Sequence, residues 1–165
     1  MNQTTGAARN HPSSPQQRAA VRAVLDARSA QPGALLPILH DIQDQLGYVP
    51  GDVVTDIAEA LNLSRAEVHG VITYYHHFRG EPAQGAVVQV CRAEACQSCG
   101  SEALWEHASK KAAGQNVTLE PVYCLGLCAT APAVQIKDKL HARVTPSKFD
   151  RLIEQLNVAQ LKEAA

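Results

Sequence analysis

The sequence predicts an α+β chain: a small N-terminal helical bundle, then a mixed four-stranded sheet flanked by helices. Three observations carry this. Apolar residues repeat at helical spacing through the first half. A polar stretch at 79–85, with Gly80, Pro82 and Gly85, interrupts the repeat. Beyond it, short β-rich runs alternate with helical ones.

Residues 16–30 are expected to form the first helix, with Val21, Val24 and Leu25 on one face and Gln31-Pro32-Gly33 ending it. Residues 34–46 follow as a second helix. Leu35, Leu39, Ile42 and Leu46 keep the helical repeat, Pro37 is tolerated in the first turn, and Gly47 stops it. A third helix near 51–61 presents Val54, Ile57, Ala58 and Leu61. The fourth starts at Ser64, which has capping-box spacing to Glu67, and carries Val68, Val71, Ile72 and Tyr75 as its apolar stripe. Short amphipathic helices are not stable alone, so these four should pack together.

After the boundary, Val87-Val88-Gln89-Val90 is a β-rich run leading into Cys91. Residues 101–113 are expected to be helical through Leu104, Trp105, Ala108 and Ala112. Residues 117–123 should be a strand with Val117, Leu119 and Tyr123 on one face. Residues 133–136 and 140–144 resemble a hairpin around Lys137-Asp138-Lys139. Thr145 then caps a last helix, with Pro146 first and Phe149, Leu152, Ile153 and Leu156 inward. The order β-α-β then β-β-α favours a parallel crossover pair extended by an antiparallel hairpin. That is the thioredoxin-like plan. The expected organisation is a disordered N-terminus at 1–15, the bundle at 16–79, the thioredoxin-like domain at 86–157 and a tail at 158–165.

Bulk composition removes several function classes. Fifteen basic residues face sixteen acidic ones, so no basic excess points to nucleic acid. No stretch approaches the roughly 20 apolar residues of a membrane span. The N-terminus has no apolar signal core, so a cytoplasmic chain, in a compartment where disulfides are rare, is expected. Neither G-x-G-x-x-G opening a βαβ unit nor a G-x-x-x-x-G-K-[ST] loop is present. Ser-His-Asp and paired-carboxylate arrangements are likewise missing, so no catalytic residue of its own is expected.

The cysteines carry the chemistry. All five lie in the second half: Cys91, Cys96, Cys99, Cys124 and Cys128. Cys91 and Cys96 follow the first expected strand; Cys124 and Cys128 follow the second. Parallel neighbours end at one sheet edge, so the two loops should meet and bring four thiolates together. Thiolates select zinc, copper(I) or iron–sulfur clusters. A [2Fe–2S] cluster takes four thiolates. Gly126 lets backbone approach, Ala95, Ala129 and Ala131 leave room, and loop N–H groups can point at sulfur. The spacing leaves a four-cysteine zinc site open, as in a zinc-stabilised interaction module. Cys96-Gln-Ser-Cys99 also has the form of a dithiol redox motif, the mark of a thioredoxin-like thiol oxidoreductase. Cys99 is expected to be a small buried core thiol. His69, His76 and His77 are expected on a helical surface or interface, and no histidine lies in either cysteine loop.

The chain resembles the 24 kDa subunit of respiratory complex I and its relatives in soluble hydrogenases and formate dehydrogenases. The resemblance runs from about Ala34 to Leu156. It rests on Leu35-Leu36-Pro37-Ile38-Leu39-His40-Asp41-Ile42-Gln43, Gly47-Tyr48-Val49-Pro50 and Val68-His69-Gly70-Val71-Ile72-Thr73-Tyr74-Tyr75. The strongest part is Cys91-x4-Cys96 with Cys124-Leu-Gly-Leu-Cys128 and Ala131-Pro132. It implies a [2Fe–2S] cluster, with Cys91, Cys96, Cys124 and Cys128 as ligands. The run Cys91-Arg-Ala-Glu-Ala-Cys96-Gln-Ser98 is most similar to the gamma subunit of cytoplasmic, NAD-dependent, molybdenum-containing formate dehydrogenases; Cys99 departs from that pattern. The resemblance implies electron relay from formate to NAD. The partners would be an FMN- and NAD-binding beta-type subunit and a molybdenum-containing alpha-type subunit with molybdopterin and further Fe–S clusters. Equivalent subunits of complex I or of an NAD-reducing hydrogenase are the near alternative. The helical bundle is expected to serve assembly, with contacts around Tyr74 to Phe78.

Overall fold

The computed structural model describes residues 12–163; expectations for 1–11 and 164–165 lie outside the described residues. The chain divides into two compact units, with the boundary between Pro82 and Ala83.

The first unit is all helical. Its elements are α1 (Pro15–Arg28), α2 (Leu35–Leu46), a 3-10 turn (Gly51–Val53), α3 (Val54–Leu61) and α4 (Arg65–Tyr74). Two capping boxes start helices: Ser14 with Gln17 opens α1, and Ser64 with Glu67 opens α4. Each satisfies backbone donors that have no helical partner. Ser13 and Ser14, inside the stretch expected to be disordered, are therefore held in place: Ser14 caps α1 and Ser13 is buried against Asp52. Val21, Ile38, Leu39, Ile42, Ile57 and Val68 form the centre of this core. Gln43 is buried among them; its carboxamide donates to His77 O and accepts from Arg79 N, both at 2.7 Å. The α4 stripe is shallower than its sequence suggests. Only Val68 is fully buried, Val71 and Ile72 are partly so, and Tyr75 lies past the helix end at 42% exposure.

The second unit is a mixed α/β layer. Its elements are β1 (Ala86–Cys91), α5 (Glu94–Ser98), α6 (Ser101–Ala112), β2 (Val117–Val122), β3 (Val134–Ile136), β4 (Lys139–His141) and α7 (Pro146–Glu163). The sheet order is β2-β1-β3-β4. β1 and β2 are parallel, from Ala86↔Val117 to Cys91↔Val122, and the other two pairings are antiparallel. This is the thioredoxin-like arrangement, a four-stranded mixed sheet flanked by helices. Val88, Val90, Val134, Leu104, Phe149 and Ile153 build the core between sheet and helices. Thr145 Oγ1 accepts from Lys148 N at 3.2 Å and Pro146 opens α7, as N-cap and first-turn chemistry require.

Three details depart from the sequence-based expectations. α5 has no counterpart among the expected elements, because five residues are too few to show a helical period. α7 passes the boundary expected at 157 and runs to Glu163. Tyr123 falls just beyond β2 and is 61% exposed rather than sharing an inward face. At the other end of the parallel pair, Gly85 has φ +65°, and a Cβ there would lie 1.9 Å from Asn116 O. Only glycine lets the two strands enter the sheet this close together.

Candidate metal centre

The in-register end of β1 and β2 determines where the cysteines emerge. Cys91 is the last residue of β1 and faces Val122, the last of β2. One residue further, Arg92 N still donates to Val122 O at 2.8 Å. On the other side, Cys91 N donates to Ala133 O at 3.0 Å. The Ala131–Pro132 peptide leading into that segment is cis. Both cysteine loops thus leave the sheet together, against the entry to β3.

Cys91 and Cys96 are buried, each 2% exposed, and pack with Ala133 beneath Ala93, Val122, Leu125, Leu127 and Ala131. Cys96 sits in α5, a helix rather than the expected loop. Cys124 follows β2 with φ 110°, and Cys128 opens a 3-10 turn; both are exposed. The Sγ atoms of Cys124 and Cys128 are 3.7 Å apart. Gly126 N donates to Cys124 Sγ at 3.4 Å, as the loop glycine allows.

The thiols respond to one another across the two loops. Burial works to raise the Cys91 thiol. It is outweighed by hydrogen bonds from the backbone of Ala93, the Cys96 side chain, and the backbone of Leu125 and Cys124, so Cys91 lies below the usual thiol value. Burial first, then Cys91 and the charge of Cys128, push Cys96 up. Hydrogen bonding to Cys124 and its charge raise Cys128, with burial adding to them. Leu125 and Leu127 of the second loop pack against Cys91 and Cys96 of the first, so the thiols of the two loops share one electrostatic neighbourhood.

This set resolves into two contacting pairs. No group of three or more His, Cys, Asp or Glu side chains among the described residues forms a ready site for a single ion. Two sulfurs on one tetrahedral metal, with metal–sulfur bonds of about 2.3 Å, stand about 3.8 Å apart. The 3.7 Å of Cys124 and Cys128 fits that edge. A chelating pair at Cys124 and Cys128, facing a second pair buried together at Cys91 and Cys96, suits a dinuclear group with two thiolates per metal.

Cys99 needs correction. It is exposed, not a core thiol, because it caps α5 at a surface turn, with Sγ 3.9 Å from Ser98 Oγ. His69, His76 and His77 are exposed in the first unit. Sequence reasoning missed Arg92 and Glu102, whose carboxylate takes the guanidinium at 3.0 and 2.6 Å beside the first cysteine loop. Their signal was only an Arg directly after a cysteine and an acidic residue in a helical first turn.

Comparison with known proteins agrees with this geometry. Residues 21–157 match the thioredoxin-like [2Fe-2S] ferredoxin family. The chain is 33% identical over 135 residues to a subunit of NADH-quinone oxidoreductase from Rhizobium meliloti (strain 1021), covering 77% of this chain and 80% of that one. It is 28% identical over 130 residues to the HndA subunit of the NADP-reducing hydrogenase from Solidesulfovibrio fructosivorans, covering 73% and 75%. Among solved structures it resembles NAD+-reducing [NiFe]-hydrogenase in the H2-reduced state, with a TM-score of 0.60 at 23% identity. That likeness, a likeness of fold, covers 75% of this chain but 22% of the other. Two cysteine pairs at the edge of a thioredoxin-like sheet, and a match over most of the chain, place this protein in the thioredoxin-like [2Fe–2S] ferredoxin family, whose cofactor is a [2Fe–2S] cluster.

Proposed function

We propose that this chain is the [2Fe–2S] electron-transfer subunit of an NAD-coupled oxidoreductase complex, with Cys91 and Cys96 on one iron and Cys124 and Cys128 on the other. The observation that carries this is the meeting of the two cysteine loops: Cys91 and Val122 end the paired strands in register, Leu125 and Leu127 of the second loop pack on Cys91 and Cys96, and Cys124 and Cys128 stand at chelating distance. The bound cluster supplies one-electron storage and relay. The protein's part is to shelter and to expose. Cys91 and Cys96 form the buried wall of the site, while Cys124 and Cys128 form its open edge. Electrons enter and leave by that open edge, where a partner's redox group can come close. Among the described residues no helix is long and apolar enough to cross a membrane.

The parent complex in this reading is a cytoplasmic, NAD-dependent formate dehydrogenase. Its FMN- and NAD-binding beta-type subunit accepts electrons beside this chain, and its molybdenum-containing alpha-type subunit oxidises formate. Support comes from the run between Cys91 and Ser98. A second reading has its own support in the names of the similar chains, one from an NADH-quinone oxidoreductase and one from an NADP-reducing hydrogenase. In either complex the exposed Tyr74 and Tyr75 of the first unit serve as assembly contacts.

Purified wild-type chain should contain two irons and two acid-labile sulfides, and show an EPR signal on reduction. Cys124→Ser should abolish or distort that signal; unchanged iron content and spectrum would refute its ligand role. The subunits that co-purify, with formate-dependent NAD reduction, decide between the two parent complexes.

A further inference from the structure

We propose that Arg92 and Glu102 form a compensated charge pair that shapes the Cys91–Cys96 segment and holds the cluster's reduction potential between the values that either charge alone would give. This rests on the assignment of the cluster to the four cysteines. Arg92 directly follows Cys91, and its guanidinium binds the Glu102 carboxylate through two nitrogens, at 3.0 Å from Nε and 2.6 Å from Nη2. Glu102 stands in the first turn of α6. One carboxylate therefore ties the first turn of α6 to the residue that follows Cys91. The guanidinium lies over the Trp105 ring at 5.0 Å, which fixes its plane from the next turn of α6. The Arg92 backbone N–H holds Val122 at the exit of β2. Arg92 thus links the exits of β1 and β2 with the helix after Cys96.

A pair so placed does two things. It positions the segment between the first two cysteines, because a bidentate planar contact tolerates little rotation. It also places one positive and one negative charge beside a centre whose charge falls by one on reduction. While both are present their effects largely cancel. Removing Glu102 leaves the cation, which favours the reduced state; removing Arg92 leaves the anion, which disfavours it. Arg92 side-chain exposure is 27% and that of Glu102 is 47%, so the effect is partly screened by salt.

The experiment is a redox titration of the full-length, cluster-loaded chain, followed by EPR, for Glu102→Gln, Arg92→Gln and the double variant. Iron and sulfide are measured first on each preparation. Glu102→Gln should raise the midpoint, Arg92→Gln should lower it, and the double variant should return towards wild type. Both single shifts should shrink as salt is raised. Shifts of the same sign, or no shift with the cluster intact, overturn the proposal. If Arg92→Gln fails to hold a cluster, Glu102→Gln decides alone, since it keeps Arg92: an unmoved or lowered midpoint overturns the proposal. Wild-type chain without iron and sulfide sinks the cluster assignment instead.

Discussion

Replacing Gln43 with Met tests whether a single buried amide organises the chain after α4. Met keeps the length of the side chain and removes both polar atoms. Two hydrogen bonds are lost, the donor to His77 O and the acceptor from Arg79 N, both 2.7 Å. Each is worth about 0.5–1.5 kcal/mol net, so the variant should lose about 1–3 kcal/mol. The amide closes the 77–79 segment onto α2 and fixes Phe78, which is itself buried. Urea unfolding of the full chain, followed by far-UV circular dichroism, reads the loss. With a slope near 1–2 kcal/mol/M the midpoint should fall by about 1 M. Gln43→Glu keeps the acceptor but not the donor and buries a charge, so at neutral pH it should fall at least as far. A Met variant unfolding at the wild-type midpoint would show that apolar packing alone holds this segment and refute the reasoning.

Two other perturbations probe the frame around the site. Gly85→Ala should destabilise the second unit by about 2 kcal/mol or more, because a Cβ would lie 1.9 Å from Asn116 O at φ +65°; thermal unfolding of the variant at the wild-type temperature would contradict it. Asp52 accepts from Ser13 N and Oγ and from Arg18, at 2.8, 2.6 and 2.7 Å. Burial opposes its ionisation most strongly, but the Ser13 bonds and then the Arg18 charge prevail and hold its carboxyl below the usual range. A depressed acid contributes stability above its unfolded value, about 4, and loses it as pH falls through the folded value. The stability gap between wild type and Asp52→Asn, about 1–2 kcal/mol at neutral pH, should narrow as pH falls below about 4. An unchanged gap across that range would count against the assignment.

How much of this was legible in the sequence depends on the range of the interaction. Local signals carried through. The Ser64–Glu67 box, the Gly47 stop and the Thr145-Pro146 start depend on neighbours within four residues, and each is present. The sheet plan was legible because strands ending in cysteine pairs alternate with one long helical run. Three things lay outside that range. α5 is too short to show periodicity. The burial of Gln43 depends on backbone 34 and 36 residues away. The depth of each cysteine was invisible too: spacing treats Cys91–Cys96 and Cys124–Cys128 alike, yet one pair is buried and the other open. Spacing also could not choose between zinc and iron, since both take thiolates from loops of this length.

Crowding of the four thiols has a consequence that can be measured without any metal. Burial opposes the Cys91 thiolate, but the hydrogen bonds aimed at its sulfur overcome it; Cys96 is opposed by burial and then by Cys91, and Cys128 chiefly by the neighbouring Cys124 sulfur. Once Cys91 has lost its proton, its charge makes the next ionisations harder. In the metal-free full-length chain, thiolate absorbance should therefore rise over a wide pH span. The first step should come below the ordinary thiol value, near 8.5, and the last steps above it. Cys91→Ala should remove the early step and draw the late ones downward. A single ordinary transition, or a Cys91→Ala curve that differs only in height, would show that the sulfurs do not feel one another. The same repulsion explains why bound metal matters to this sheet edge: positive charge between the loops offsets thiolates that otherwise destabilise one another, so the protons leave when the metal arrives.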